Sequence, residues 1–150
     1  MSSFFTGFFM QNRILSVTIV AWVLTQTIKV TLGVIREKKF DFRWLIGTGG
    51  MPSSHAAGAT ALALSSGLDL GFSSPIFALA FVFALVTMFD AQGVRHSTGK
   101  QAEILNKVMD DIYWKGKIDA DRLKELIGHT PIEVFIGAII GFAIALVAYR

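Results

Sequence analysis

The run from Ile14 to Ile35, ILSVTIVAWVLTQTIKVTLGVI, constrains this chain more than any other stretch, because it carries a single charge, Lys29. A helical crossing of a hydrocarbon core about 30 Å thick needs about 20 predominantly apolar residues, and this run supplies them. A cleaved leader would have a shorter apolar run followed by a small-residue cleavage site; none follows here, so the segment is expected to be a helix of the mature protein. His55 to Leu70 comes next, rich in Ala, Gly and Ser and short for a span, with the small residues that suit close helix packing in lipid. Ser74 to Val94 is strongly apolar through Phe89, and Pro131 to Tyr149 closes the chain. FFTGFFM, Phe4 to Met10, reads equally as an interfacial anchor or as a tail.

With 53% hydrophobic and 17% charged residues and a mean hydropathy of +0.56, the 150 residues are far from the balance of a soluble domain. The expected architecture is one all-α domain over residues 1–150, an integral membrane bundle of about four transmembrane helices. The length excludes a large multidomain enzyme. Cysteine is absent, which excludes disulfide scaffolds, thiolate zinc sites and cysteine nucleophiles. The net charge of +3 is a modest excess that sets orientation in a membrane protein, and nucleic acid is not an expected partner.

Between the third and fourth spans, Leu105, Val108, Met109 and Ile112 fall at helical spacing, and Leu123, Leu126 and Ile127 do so again. Both stretches read as amphipathic helices, broken at Tyr113 to Lys117, with Asp119 as N-cap of the second. Four spans place Arg36–Ser54 and Arg95–Thr130 on one face. Those two loops hold eleven Lys and Arg, against Arg13 and Arg150 on the other face. By the positive-inside rule the loops are cytoplasmic and both termini outside. The membrane is a bacterial inner membrane or an organellar one.

All three histidines, His55, His96 and His129, map to the cationic face. His55 follows GTGGMPSS, where Ser53 or Ser54 can cap a helix. His129 precedes Thr130-Pro131-Ile132-Glu133, the pattern of a capping box with proline at the first helical position. Helix N-termini present free N–H groups and the positive end of the helix dipole, so two of them converging would bind an anion. Taken singly, Ser54 and Thr130 with Glu133 are also explained as helix caps, and each histidine as an interfacial side chain. Asp90, near the end of an apolar span, reads either as solvated at the interface or as the partner of Arg95 or Lys29.

The strings PSSH (Pro52–His55) and GHTPIEVFIGAIIG (Gly128–Gly141) resemble the type 2 phosphatidic acid phosphatases and vanadium haloperoxidases. With GGMPSSH and DAQGVRHSTGKQAEILN (Asp90–Asn106), they resemble a divergent branch of that superfamily more closely. The superfamily's motifs are K-x6-R-P, P-S-G-H and S-R-x5-H-x3-D. Lys29 and Arg36 keep the first spacing, with Glu37 in place of proline; Ser54 replaces the glycine of the second; His129 and Glu133 keep the H-x3-acid spacing of the third. Leu123 stands where the third motif has arginine, with Arg122 and Lys124 beside it. Arg95, Arg122 and Lys124 are the candidate substitutes.

The resemblance implies a membrane hydrolase, a lipid phosphate phosphatase that works through a phosphohistidine without metal or cofactor. His129 would be the nucleophile, Glu133 would orient its ring, and His55 would protonate the leaving alkoxide. Lys29, Arg36 and Arg95, with backbone N–H groups near Ser53 and Ser54, would bind the phosphoryl oxygens. The substrate would be a phosphatidic acid or polyprenyl phosphate presented by membrane lipid. The family core has six helices, and homodimerisation would close a four-helix version. The competing readings are a non-catalytic protein of the same fold that binds or transports phosphate or lipid phosphate, and a structural subunit of a larger membrane complex.

Overall fold

The computed structural model describes residues 11–40, 42, 50–92, 101, 104–106, 109 and 129–150. Four long helices organise them: α1 (Arg13–Glu37), α2 (Ser54–Leu70), α3 (Pro75–Gln92) and α4 (Pro131–Ala148). Each boundary lies within two residues of the hydropathy expectation.

Local chemistry sets the ends. Asn12 caps α1, its side chain accepting the Leu15 N–H at 3.0 Å, and the helix stops where Lys38 turns left-handed and returns its N–H to the Val34 carbonyl. Along α1 the hydroxyls of Ser16, Thr18, Thr25, Thr27 and Thr31 each donate to the carbonyl four residues back, at 2.7 to 3.0 Å. Polar groups in lipid must be satisfied internally, and these bonds let a threonine-rich helix remain a span. Between α2 and α3, Gly71 takes φ +88°, a conformation that disfavours a side chain. Ser74 then accepts the Phe77 N–H, and Pro75 opens α3.

The second helix is central. It packs against α1, α3 and α4, whereas α1 and α3 do not touch each other among the described residues. Ala56, Ala57, Ala61, Ser65 and Ser66 are buried on its sides. The contact with α4 is backbone against backbone: a Cβ on Gly137 would lie 2.2 Å from the Ser53 carbonyl oxygen, and one on Gly141 2.1 Å from that of Ala57. This is the small-xxx-small geometry of close membrane helices.

The helices α1, α3 and α4 are long and apolar enough to cross a membrane, and their outer faces expose Val20, Leu79, Val86, Phe135, Ile139 and Val147. The fourth expected span, α2, has 17 residues, about 25 Å at 1.5 Å per residue, and falls short by length and composition. Its enclosure on three sides explains this: a helix that meets protein rather than lipid needs small side chains more than apolar ones. Of the two amphipathic stretches expected before α4, residues 101, 104–106 and 109 are helical. The second stretch lies outside the described residues, as does Phe4 to Met10.

Candidate functional site

The site forms where α2 and α4 begin. Ser53 is the N-cap of α2, its hydroxyl accepting the Ala56 N–H at 3.3 Å, and its own N–H donates to the Glu133 carbonyl at 3.1 Å. That last bond crosses from one helix start to the other and locks them together. Thr130 opens α4 through a complete capping box: Glu133 N–H donates to its hydroxyl at 3.4 Å, and the Thr130 N–H donates to Glu133 Oε2 at 3.0 Å. Two helix N-termini, each the positive end of a dipole, thus meet on one face of the bundle.

His129 sits just ahead of that box and is 1% exposed. Its N–H donates to the Ala91 carbonyl in the last turn of α3, at 3.0 Å, and its Nδ1 lies 3.2 Å from Glu133 Oε2. A carboxylate there accepts the Nδ1–H and so assigns the ring's lone pair to Nε2. Glu133 therefore has two tasks at once, capping its own helix and orienting the histidine. The ring of His55, half-buried in the first turn of α2, stands 6.2 Å from that of His129 at an interplanar angle of 57°.

The α1 helix brings a cation and an amide. Lys29 is buried, its stem passing 3.6 Å from the Cβ position of Gly50, and it is close enough to Glu133 for the two charges to act on each other. One turn earlier, buried Gln26 accepts the Ser54 hydroxyl at 2.9 Å. Two helix N-termini and a buried lysine near Glu133 can hold an anion, and the two imidazoles, one of them oriented by Glu133, can attack and protonate it.

The structure thus brings together His129, Glu133, His55, Ser53, Ser54 and Lys29. Ser53 and Ser54 are buried and act through the framework, since the Ser53 N–H and the Ser54 hydroxyl already have protein acceptors. Arg36 does not join the cluster: it is exposed in the last turn of α1, about 10 Å along the axis from Lys29. Asp90 is exposed, one residue before the carbonyl that receives His129. Arg95, Arg122 and Lys124 lie outside the described residues. Sequence reasoning missed Gln26, Gly137, Gly141 and the Ala91 carbonyl. A polar residue inside an apolar span and the Gly-x3-Gly spacing are signals for the first three; a backbone carbonyl leaves none.

The model of the divergent PAP2 family matches residues 10–144, from just before α1 into the last turns of α4. The chain belongs to the divergent PAP2 family. A relative of this divergent PAP2 protein, the uncharacterized membrane protein YuiD of Bacillus subtilis (strain 168), is 41% identical over 141 residues, covering 87% of this chain and 89% of the relative. No solved structure matches the chain. Membership points to a phosphatase-related membrane protein, and the matched region contains every described residue of the cluster, from Gln26 to Glu133.

Proposed function

We propose that this divergent PAP2 protein is a lipid phosphate phosphatase acting through a phosphohistidine. The observation that carries the reading is the pairing of His129 with Glu133, 3.2 Å apart, with the His55 ring 6.2 Å away. Nε2 of His129 attacks phosphorus as the ester P–O bond breaks, and protonated His55 delivers its proton to the departing alkoxide. Neutral His55 then takes a proton from water, which attacks the phosphohistidine; the P–N bond breaks and inorganic phosphate leaves. Lys29 and the positive ends of α2 and α4 stabilise the charge on the phosphoryl oxygens. Arg95, Arg122 or Lys124 supplies the cation that the family's third motif draws from arginine.

The substrate is a phosphatidic acid or polyprenyl phosphate, and its head group enters over His55, the more exposed of the two rings. The chemistry is on the cytoplasmic side, where eleven of the fourteen Lys and Arg are expected. The test is phosphate release by the detergent-purified protein from a panel of lipid phosphates, without added metal, beside His129→Ala. Turnover by the parent and none by the variant is expected. If both are silent while vanadate still binds, the reading fails, and the protein binds or moves phosphorylated lipid instead. The departures from the superfamily pattern at Glu37, Ser54 and Leu123 favour that second reading.

A further inference from the structure

Three contacts align α1 with α2 and with the segment that leads into it. The Lys29 stem passes 3.6 Å from the Cβ position of Gly50, the Ser54 hydroxyl donates to Gln26 Oε1 at 2.9 Å, and the Trp22 Cβ stands 3.6 Å from the Cβ position of Gly58. As the residue numbers fall along α1 they rise along its neighbour, so the two run antiparallel in one register. The outer two contacts are carbon against glycine. Contacts of that kind have no preferred axial position, because in lipid one hydrocarbon contact exchanges for another of equal strength. Of the three, the middle contact alone is directional, and it joins two buried side chains, Gln26 at 8% and Ser54 at 2% exposure. A slip of α1 by one turn, about 5.4 Å, would break it and leave a buried hydroxyl without its acceptor.

The same bond sits between the contributions of the two helices to the site. Lys29 is about one turn beyond Gln26 on α1, and His55 directly follows Ser54 on α2. Whatever sets residue 26 against residue 54 therefore sets the ammonium against the imidazole and against the N-termini of α2 and α4. Residue 54 is also one of the departures from the superfamily pattern, serine in place of glycine. A glycine has no hydroxyl to donate, so the Ser54 hydroxyl and its acceptor on α1 form one device. A single buried polar residue is known to specify the register of paired helices.

We propose that Gln26 is a positioning residue of the anion site: through Ser54 it fixes the axial register of α1 on α2, and so holds Lys29 beside His55 and the two helix N-termini. Gln26 acts on the anion through Lys29. The proposal rests on the phosphatase reading only for the identity of the anion, and inorganic vanadate serves as the probe.

The test separates register from stability. Gln26→Leu combined with Ser54→Ala removes both partners, so no buried hydroxyl is left unsatisfied and the melting temperature is expected to stay near that of the parent. Vanadate affinity, measured by titration calorimetry in detergent, is expected to fall about tenfold, the contribution of one hydrogen bond from the Lys29 ammonium. Adding Trp22→Cys and Gly58→Cys allows the register to be restored covalently. The chain has no native cysteine, and the two Cβ positions, 3.6 Å apart, lie within the roughly 3.5–4.5 Å that a disulfide spans. Oxidation of this fourfold variant is expected to return the affinity to the parental value. Parental affinity in the double variant, or low affinity that persists once the disulfide has formed, overturns the proposal, as does a parent that binds no vanadate. Because these measurements require no turnover, failure of the phosphatase reading appears separately, as absent phosphate release with the binding pattern intact.

Discussion

Replacing Gly141 by alanine tests whether the α2–α4 contact is as close as described. The new Cβ would lie 2.8 Å from the Ala57 carbonyl carbon and 2.1 Å from its oxygen, the latter more than 1 Å inside the 3.4 Å at which ordinary contact begins. Both neighbours are backbone in the first turn of α2, so no rotamer change relieves the overlap and the helices must part. Overpacking of this kind costs about 1–3 kcal/mol, and a backbone clash belongs at the upper end; the helix propensity gained by replacing glycine offsets about 1 kcal/mol. The net is about 2 kcal/mol, roughly thirtyfold in the folding equilibrium. Gly58→Ala is the matched control, since its Cβ would meet Trp22 at an ordinary 3.6 Å; it is expected to be neutral or stabilising by up to about 1 kcal/mol. Reversible unfolding in mixed micelles, followed by circular dichroism, measures both. A Gly141→Ala protein as stable as the parent, or a Gly58→Ala protein equally damaged, would refute the close-contact argument.

Three further outcomes are expected. Glu133→Gln keeps an acceptor for the Thr130 N–H but removes the carboxylate that orients His129, so phosphate release should fall about 10- to 100-fold with the fold intact; unchanged turnover would remove Glu133 from the orienting role. Gln26→Leu leaves the buried Ser54 hydroxyl without its acceptor and should cost about 1–3 kcal/mol in the same unfolding assay, with Gln26→Glu retaining more stability than Gln26→Leu. For sidedness, the absence of native cysteine allows single-thiol mapping: Phe72→Cys should react with an impermeant maleimide in intact cells and Lys38→Cys only after permeabilisation, and the reverse pattern would invert the topology.

What the chain discloses before folding differs by element. Hydropathy finds α1, α3 and α4 because their outer faces meet lipid, and apolar side chains are the direct record of that contact. The pairing of His129 with Glu133 is legible because both partners sit within one turn of a helix whose cap is itself written in Thr130, Pro131 and Glu133. The approach of His55 is suggested by motif order alone, since nothing local brings residue 55 to residue 129. Arg36 keeps its spacing from Lys29, and the seven-residue step along α1 sets it on the same side of the helix, two turns on, at the exposed end. Gln26 is hidden for the opposite reason, a lone amide in a long apolar run whose partner is 28 residues away.

The composition of α2 has a consequence for how the protein is made. The helix that brings His55 to the site is the one whose alanines, serines and glycines favour insertion least, since they gain little from lipid and much from packing against α1, α3 and α4. Only the tight turn at Gly71–Ser74 separates it from the strongly apolar α3. So short a turn ties α2 to the strongly apolar α3, and joint insertion of the two as a helical hairpin is the expected route. Biogenesis and chemistry thus place opposite demands on the same 17 residues, and the neighbouring helix reconciles them.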